Sequence, residues 1–405
     1  MKAVHFTTVD FAGAYRAAER ISQSLRSVGV DSEVVVRSKS NAESDCTWYF
    51  GNPVSKVVSK AKNVFNMTVS KGPVDTVLFG TDISSSSYVK EADVIFLHWV
   101  NSFLSYDSVK KLAATGKKII WVMHDMWPYT GGCHLNFGCE RFSEGCGKCP
   151  QIKSTDANDI SAKNVIRKRE AFIRDNISFV TVSRWMADNA SKSTILQGQD
   201  INVINNPINT DVFCPGDHAS DFETNSGSND QPADNRKIIL FGAHNATTDP
   251  NKGFKYLAEA LGKLDGSRYR LICFGNGPSE PKITVPGMEI EYKGLINNDN
   301  DLIDLYRNAD VVVIPSLMES FGYTCLEAMA CGTPAVSFDT TGLRDQIVHK
   351  ENGYMAAYKD SEDLAKGIEF CAENKGILSA AARRHAVENS SYEVAGNKYR
   401  ELCLK

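Results

Sequence analysis

Residues 311–336 read VVVIPSLMESFGYTCLEAMACGTPAV, and this stretch decides the fold class. Its first four residues predict a buried strand, because a short β-branched run is typical of a parallel sheet covered on both faces. A Pro-Ser loop follows, then a helix that starts near Tyr323, and then a second strand at Ala335–Phe338. This order predicts an α/β domain built on a parallel sheet.

The same alternation of apolar strands and helical segments runs along the rest of the chain. The predicted strands are Ala3–Phe6, Val34–Val36, Val94–Leu97, Ile119–Val122, Phe179–Val182, Ile238–Phe241, Arg270–Phe274, Val311–Ile314 and Ala335–Phe338. The polar stretch from Asp217 to Asn235 interrupts the alternation and predicts a linker. At 405 residues the chain exceeds one ordinary core. We therefore predict domains at 1–212 and 236–390, a loop at 213–235, and a final helix at 391–405.

Composition excludes several classes of protein. The formal net charge of -4 offers no overall attraction to nucleic acid. No apolar run approaches the roughly 18 residues of a membrane-spanning helix, and Met1 leads into a strand rather than a signal peptide. We expect a cytoplasmic protein whose 11 cysteines are mostly reduced thiols.

Two acids frame the helix that starts near Tyr323. Glu319 and Glu327 are separated by seven residues, with Gly322 between them. A helix N-terminus with free N–H groups favours a diphosphate, and carboxylates accept hydrogen bonds from vicinal hydroxyls. The pattern predicts a sugar-nucleotide site; the alternative is a pair of solvated acids at a helix start.

Histidines follow two strands of the first domain. His124 comes directly after Ile119–Met123, and His98 begins the segment His98–Asn101 after another strand. Ligands of open parallel sheets bind at the carboxyl ends of the strands, so we expect these residues to face a ligand. The alternative is a buried histidine with satisfied hydrogen bonds.

The segment 311–336 resembles the Glu-x7-Glu signature of family 4 of the retaining glycosyltransferases, which have the GT-B fold. The resemblance extends across nearly the whole chain. Its further motifs are Gly13, Ser183-Arg184, Asn205–Pro207 through Phe213, Lys252-Gly253, Gly275–Pro278, Ala309-Asp310 and Pro315-Ser316. It implies two Rossmann-like parallel-sheet domains that face one another across a cleft.

The resemblance also implies roles for individual residues. Glu327 binds the donor ribose, Glu319 binds hydroxyls of the donor sugar, and Lys252 neutralises the diphosphate. His124 approaches the donor sugar, while His98 and Asn101 lie on the acceptor side. The remaining donor-binding residues are Gly13, Ser320, Phe321, Gly322 and Tyr323.

One position departs from the family pattern. The family usually has an arginine just after the glycine that follows the first strand of the second domain, but here Ala243 follows Gly242. The second cation for the diphosphate is therefore unassigned. His244 and Arg184 are candidates, and ordinary surface or loop positions are the alternative for both.

The implied reaction is transfer of a sugar from a nucleotide diphosphate to an acceptor hydroxyl, with retention of configuration and without a catalytic cofactor. The second domain binds the donor, the first binds the acceptor, and the final helix crosses back to the first domain. The implied acceptor is a glycan or polyprenyl-linked glycan, in capsule, lipopolysaccharide or other polysaccharide biosynthesis.

Four cysteines cluster in a Cys-rich insertion near 131–150. Cys133, Cys139, Cys146 and Cys149 lie within seventeen residues and end in Cys-x2-Cys. This pattern predicts a structural zinc site, which is closed and not catalytic. A loop of reduced thiols, or one reversible disulfide, is the alternative.

Two basic segments suggest a membrane surface. Apolar residues recur at helical spacing from Val54 to Phe65, with Lys56, Lys60 and Lys62 on other faces, and the segment Lys163–Arg174 is also basic. Both are consistent with peripheral association at the cytoplasmic face of the inner membrane. An ordinary core-facing helix with solvated lysines is the alternative.

Other functions fit part of the pattern. A sugar-nucleotide epimerase of the same fold, or a non-catalytic sugar-nucleotide-binding protein, also needs the donor residues. A dinucleotide dehydrogenase is disfavoured, because no Gly-x-Gly-x-x-Gly opens the first helix.

Overall fold

The computed structural model describes residues 1–41, 44–49, 53–70, 74–216, 234–243, 245, 248–275, 283–296 and 298–405. The chain divides into two compact units. Unit 1 comprises residues 1–207 together with 392–405, and unit 2 comprises residues 208–391. The first boundary therefore falls at 207, not at the predicted 212. Most of the predicted loop 213–235 lies outside the described residues.

Unit 1 contains a seven-stranded sheet within the described residues, and its paired strands are parallel. The strands are β1 (Lys2–Val9), β2 (Asp31–Ser38), β3 (Thr47–Trp48), β4 (Val94–Leu97), β5 (Lys118–Met123), β6 (Ile177–Thr181) and β7 (Ile201–Val203). Their order is β3-β2-β1-β4-β5-β6-β7. Strands β2 and β4 thus flank β1, which is buried between them along most of its length.

Helices connect these strands. They are α1 (Ala12–Ser27), α2 (Pro53–Val69), α3 (Ser87–Glu91), α4 (Tyr106–Ala113), α5 (Ile160–Phe172) and α6 (Arg184–Lys192). Several begin at side-chain caps. The Asp159 carboxylate accepts the N–H groups of Ser161 and Ala162 at the start of α5, and the Ser183 hydroxyl accepts the N–H of Met186 in α6.

The last helix, α12 (Tyr392–Leu404), belongs to unit 1. It packs against α1, where Gly396 is essential for the close approach: a Cβ at this position would lie 2.1 Å from the Ser24 carbonyl oxygen. The hydroxyl of Tyr392 also donates to Gln23. The chain terminus is thus held by packing onto a helix that is distant in sequence.

Unit 2 contains a six-stranded sheet within the described residues, again with parallel pairing. The strands are β8 (Lys237–Gly242), β9 (Tyr269–Phe274), β10 (Glu289–Tyr292), β11 (Val311–Ile314), β12 (Ala335–Phe338) and β13 (Gly353–Ala356), in the order β10-β9-β8-β11-β12-β13. The helices are α7 (Phe254–Leu261), α8 (Asp299–Asn308), α9 (Tyr323–Ala330), α10 (Ser361–Glu373) and α11 (Lys375–Ser390). The buried faces of β8, β9, β11 and β12 pack with α7 and α10 into one hydrophobic core.

Each predicted strand is present, and β4, β11 and β12 have the predicted bounds. Both units are Rossmann-like. Among the described residues, no helix is sufficiently long and apolar to span a lipid bilayer.

Candidate functional site

The centre of the candidate site in unit 2 is an ion pair between Lys252 and Glu319. Lys252 Nζ donates to Glu319 Oε1 at 2.5 Å, and the Ser316 hydroxyl donates to the same oxygen at 3.0 Å. The Lys252 and Glu319 side chains are 22% and 19% exposed, so the pair is accessible without being solvated on all sides. The Glu319 carboxylate raises the pKa of Lys252, against the opposing effect of burial. Lys252 is therefore a fixed cation.

Glycines allow the loops around this pair to approach closely. Gly253, with φ +69°, lies so near to the loop after β11 that a Cβ would be 1.8 Å from the Pro315 carbonyl oxygen. On the other side, a Cβ on Gly342 would be 2.2 Å from the Ser320 carbonyl oxygen. Larger residues at either position would separate the loops that hold Lys252 and Glu319.

The backbone of Glu319 is held as firmly as its side chain. Its N–H donates to the Thr341 hydroxyl at 3.0 Å, and its carbonyl accepts the N–H of Gly342 at 2.9 Å. Thr341 has φ +48°, a left-handed conformation that is unfavourable for a β-branched residue. The loop 340–342 thus positions Glu319, a contribution that the sequence did not reveal.

Helix α9 begins directly after this loop. Gly322 precedes it with φ +94°, and no side chain caps the helix N-terminus. Phe321 is buried, and the Gln346 amide donates to the carbonyls of Phe321 and Gly322. Ser320 and Tyr323 flank these two residues. An uncapped helix N-terminus presents N–H groups and a positive dipole end, which favour an anion.

Glu327 has different surroundings from Glu319. It lies within α9, its side chain is 2% exposed, and its Oε2 accepts the hydroxyl hydrogen of Tyr306 in α8 at 2.9 Å. The two glutamates predicted as a functional pair therefore occupy a half-buried loop position and a buried helix position.

Three histidines form a hydrogen-bonded chain in unit 1. His98 Nδ1 lies 2.8 Å from His124 Nε2, and His98 Nε2 lies 2.8 Å from His5 Nδ1. The far nitrogen of His5, Nε2, lies 3.0 Å from the Ser32 hydroxyl. His5 is fully buried and His98 is 3% exposed, while His124 is half-buried at the end of β5. Neither His5 nor Ser32 was singled out from the sequence.

Burial makes these histidines weak bases. It lowers the pKa of His5 to about 3 and that of His124 to about 4, and it holds the pKa of His98 well below its ordinary value. All three rings are neutral at pH 7.

The structure corrects the predicted acceptor role of His98. Both of its ring nitrogens contact other histidines, so neither is left for a substrate. Asn101 is different: it is 3% exposed, and within the described residues its side-chain Nδ2 has no hydrogen-bond partner. Its backbone carbonyl accepts the Thr8 hydroxyl hydrogen at 2.6 Å, which fixes the segment after β4 to the end of β1.

A fourth histidine, His134, lies beyond β5 between two aspartates. His134 Nδ1 is 2.6 Å from Asp125 and its Nε2 is 2.8 Å from Asp75. Burial opposes protonation, but the two carboxylates outweigh it and raise the pKa of His134 to about 10. The resulting imidazolium connects the Cys-rich loop to two other segments of unit 1, an arrangement with no evident signal in the sequence.

The four clustered cysteines line one cavity. Burial raises the pKa of Cys133 to about 12 and that of Cys146 to about 11. In the described part of the chain, no three or more His, Cys, Asp or Glu side chains are arranged to hold a metal ion. The thiols therefore share a location but do not form a ligand set, and zinc stays a prediction.

Lys168 corrects the picture of a basic surface helix in the second basic segment. It is fully buried, donates to the carbonyls of Trp127 and Thr130, and lies 3.7 Å from the Trp127 ring centroid. Burial lowers its pKa to about 7. This lysine supports the loop after β5 from within and cannot contact a lipid headgroup.

The remaining predicted residues have simpler positions. Gly13 is exposed in the first turn of α1, just after β1. Arg184 is exposed at the start of α6. His244 and the segment 276–278 lie outside the described residues. At Ala243, the carbonyl oxygen would be 1.9 Å from a Cβ on Gly275, so the backbones at the ends of β8 and β9 are in close contact.

Comparison with known proteins finds similarity to glycosyltransferases. The chain matches the family model Glycosyl transferases group 1 over residues 223–392. It is 27% identical over 348 residues to an uncharacterized glycosyltransferase of Methanocaldococcus jannaschii, covering 79% of this chain and 84% of the relative. It is 25% identical over 381 residues to the D-inositol 3-phosphate glycosyltransferase of Mycobacterium tuberculosis, covering 88% and 72%.

A solved structure extends the likeness to the whole fold. Anabaena HepE in complex with UDP-glucose has a TM-score of 0.63 at 15% identity, covering 99% of both chains. The fold is that of the GT-B glycosyltransferases. Residues 223–392 carry a glycosyl transferases group 1 domain, and the homologues of the chain are glycosyltransferases.

Proposed function

We propose that this protein is a retaining hexosyltransferase of family 4 type, which transfers a sugar from a nucleotide diphosphate to a glycan or lipid-linked glycan in surface polysaccharide biosynthesis. The observation that carries the proposal is the Lys252–Glu319 pair beside the uncapped start of α9. A cation, an uncapped helix N-terminus and a hydrogen-bonding carboxylate together match the charges and hydroxyls of a sugar nucleotide.

Lys252 and α9 stabilise the leaving group. Departure of a nucleoside diphosphate builds negative charge on the β-phosphate, and fixed cations and helix N–H groups stabilise that charge without reorganising. Glu319, held by Ser316 and Thr341, accepts hydrogen bonds from hydroxyls of the donor sugar. Glu327 binds the ribose, and the segment Ser320–Tyr323 completes the donor site of unit 2.

The acceptor hydroxyl attacks from the face that the leaving group occupies. A leaving phosphate oxygen takes the acceptor proton, so no carboxylate has to act as a nucleophile, in contrast to retaining hydrolases. His124 donates a hydrogen bond to a hydroxyl of the sugar. Asn101, whose buried Nδ2 lacks a partner within the described residues, offers a donor to the acceptor.

The comparisons support a uridine-linked donor. HepE was solved with UDP-glucose, and its fold covers nearly all of this chain. The mycobacterial relative is named for D-inositol 3-phosphate, which differs from the glycan acceptor proposed here.

A binding screen tests the donor site. UDP, GDP and ADP sugars are added with and without a chelator, and thermal unfolding is followed, because a ligand that binds the native state raises its apparent stability. We expect stabilisation by UDP sugars that survives chelation. Stabilisation by none of the three classes would overturn the proposal.

Product analysis separates transfer from the other functions. Incubation with the stabilising donor and glycan acceptors should yield a new α- or β-linkage of the same anomeric configuration as the donor. A changed sugar nucleotide without acceptor would indicate an epimerase, and binding without any product would indicate a non-catalytic binding protein.

Helix α2 supports peripheral membrane association. Of its described side chains, Val57, Val64, Phe65 and Met67 are 48–71% exposed, and Lys60 is exposed beside them. The side chains of Val54, Lys56, Val58 and Lys62 lie outside the described residues. Exposed apolar side chains next to lysines favour an anionic bilayer surface.

Vesicle sedimentation tests this association. The double variant Phe65→Ser, Met67→Ser should sediment less with anionic vesicles than the unaltered protein, whereas Ile377→Ser, which removes a 78% exposed residue from α11, should not. Equal sedimentation of all three proteins would contradict the membrane surface.

Metal analysis tests the predicted structural zinc site, which the four cysteines do not preform in the described structure. Metal analysis of the purified protein should find one zinc per chain, lost in Cys149→Ser and kept in Cys371→Ser, which alters a buried thiol in unit 2. Thiol titration that instead shows two cysteines oxidised would identify a disulfide.

A further inference from the structure

The histidine chain follows the order of the sheet. Ser32 is on β2, His5 on β1, His98 directly after β4 and His124 directly after β5, and the sheet order is β2-β1-β4-β5. Each group therefore contacts the next across one pair of neighbouring strands. The interplanar angles are 16° for His5 and His98 and 13° for His98 and His124.

The rings lie edge to edge rather than face to face. In both pairs the ring centroids are 5.1 Å apart while the bonded nitrogens are 2.8 Å apart, so the nitrogens lie between the centroids. This is the arrangement in which one ring nitrogen donates to the next.

Neutral rings couple their tautomers. A neutral imidazole carries one N–H and one bare nitrogen, so each nitrogen-to-nitrogen contact requires one donor and one acceptor. If His98 donates from Nδ1 to His124, its Nε2 must accept from His5 Nδ1. The tautomer of one ring therefore determines those of the other two.

The hydrogen bonds along Ser32, His5, His98 and His124 can all be donated toward His124 or all toward Ser32. Ser22 selects one of these two directions. Its buried hydroxyl, on α1, lies 2.8 Å from the Ser32 hydroxyl, its only hydrogen-bond partner within the described residues. If Ser22 donates to Ser32, then Ser32 donates to His5 Nε2 and every hydroxyl hydrogen in the chain has an acceptor. In the opposite direction the Ser22 hydrogen is buried without an acceptor, which is costly.

We propose that Ser32, His5 and His98 are positioning residues that hold His124 in the tautomer protonated at Nδ1. In this tautomer His124 Nε2 accepts from His98, and Nδ1–H is a fixed donor at the carboxyl end of β5. Within the described residues, no protein group hydrogen-bonds to Nδ1 of His124, so this hydrogen is available to a ligand.

The proposal specifies the chemistry that His124 performs, and this role rests on the proposed function. A fixed N–H donates to a lone pair of a sugar hydroxyl oxygen and orients it. It does not remove a proton from the acceptor, since the bare nitrogen faces His98. Proton removal then falls to the leaving phosphate.

Nitrogen NMR of the protein labelled with 15N-histidine measures the tautomers without any substrate. Ring nitrogens with and without hydrogen have well-separated shifts, and His124, His98 and His5 are assigned by single substitution. We expect all three to be protonated at Nδ1. Protonation of His124 at Nε2, or a mixture of tautomers in the unaltered protein, would overturn the proposal.

Serine variants test which residue sets the direction of hydrogen-bond donation along the histidine chain. Among the residues that the structure describes, the Ser32 hydroxyl alone contacts His5 Nε2. Ser32→Ala should therefore give mixed tautomers and a kcat about tenfold lower, with a smaller change in donor KM. Ser24→Ala is the matched control, because it removes another buried α1 hydroxyl, one that donates to the Ile21 carbonyl and not to the chain. Its tautomers and kcat should be unchanged.

His98→Asn separates positioning from packing. An Asn amide fills the place of Nδ1, but it no longer contacts His5 and can either donate to His124 or accept from it. His98→Asn should therefore keep the packing yet give mixed His124 tautomers and a lower kcat, as Ser32→Ala does. A single Nδ1-protonated tautomer in this variant would show that the chain does not set it. If the unaltered protein has no transferase activity but its three histidines are protonated at Nδ1, the proposed function is wrong and the tautomer proposal is supported.

Discussion

The Lys252–Glu319 pair and the histidine chain show two ways of keeping polar groups beside the end of a parallel sheet. The pair is charged, and both side chains are about one-fifth exposed. The histidine chain is uncharged and almost fully buried at His5 and His98. Partial exposure permits a compensated charge pair, whereas complete burial depresses the pKa of imidazole until the ring is neutral.

This difference in charge and burial implies different roles for the Lys252–Glu319 pair and the histidine chain. A fixed charge can stabilise charge that develops during a reaction, whereas a neutral chain can only direct hydrogen bonds. Substitutions in the pair should therefore alter rates strongly, and substitutions in the chain should alter tautomers, orientation and acid stability.

The largest effect is expected from Lys252→Ala. Loss of the cation should lower kcat/KM for transfer about 10²–10³-fold, because the leaving diphosphate loses a preorganised charge. Steady-state kinetics measures this. Lys255→Ala is the matched control, since Lys255 is 77% exposed on neighbouring α7 and should retain activity. Equal activity of both variants would remove Lys252 from the site.

The two glutamates should separate rate from binding. Glu319→Gln should lower kcat about 10–100-fold, because a neutral amide no longer pairs with Lys252. Glu327→Gln should chiefly raise the donor KM, because Glu327 lies within α9 and contacts Tyr306 of α8 rather than the reacting sugar. Kinetics at varied donor concentration distinguishes them, and identical effects would contradict the different roles.

The loops that hold the Lys252–Glu319 pair can be distorted by a substitution that leaves both charges in place. Gly253→Ala should destabilise unit 2 by about 1–3 kcal/mol, because φ is +69° and the new Cβ would collide with the Pro315 carbonyl. Urea unfolding measures the change. Gly262→Ala should leave stability nearly unaltered, because φ is -65° and the new Cβ would lie an ordinary 3.6 Å from the Glu259 carbonyl oxygen.

The last expected effect is on acid stability. Because the pKa values of His5 and His124 fall to about 3 and 4, the unfolded chain binds protons below pH 6.5 that the native protein does not. The free energy of unfolding should therefore decrease as pH falls from about 6.5 to 4, by at most about 1.4 kcal/mol per pH unit for each histidine. Urea midpoints at several pH values measure the slope.

Two variants sharpen this measurement. His98→Asn should reduce the slope by the share of one histidine, whereas His349→Asn, at an exposed position in unit 2, should leave it unchanged. A slope that is the same in all three proteins would show that the buried rings do not titrate on unfolding.

Much of the fold was predictable from local pattern. The central strands β4, β11 and β12 are short apolar runs, and their bounds agree with the predicted ones. The edge strands β3, β7, β10 and β13 were missed. The first three are short and only partly buried, so no apolar run marks them, and β13 is a four-residue strand that begins at a glycine.

The candidate site was predictable in part. Lys252 and Glu319 were expected to serve the same donor, and they form a direct ion pair. The sequence did not reveal that Thr341 holds the Glu319 backbone, or that Glu327 is buried against Tyr306. Those contacts join loops and helices that are distant along the chain.

The sequence by itself determined the alternation of strands and helices and the type of chemistry at the start of α9, because these depend on residue periodicity and on a few adjacent residues. Only the tertiary structure decided that His5, 93 residues before His98, joins it and His124 in one chain, and that Lys168 is buried. Strand order and burial are set by packing between distant segments. Local sequence does not encode which strand will lie beside which.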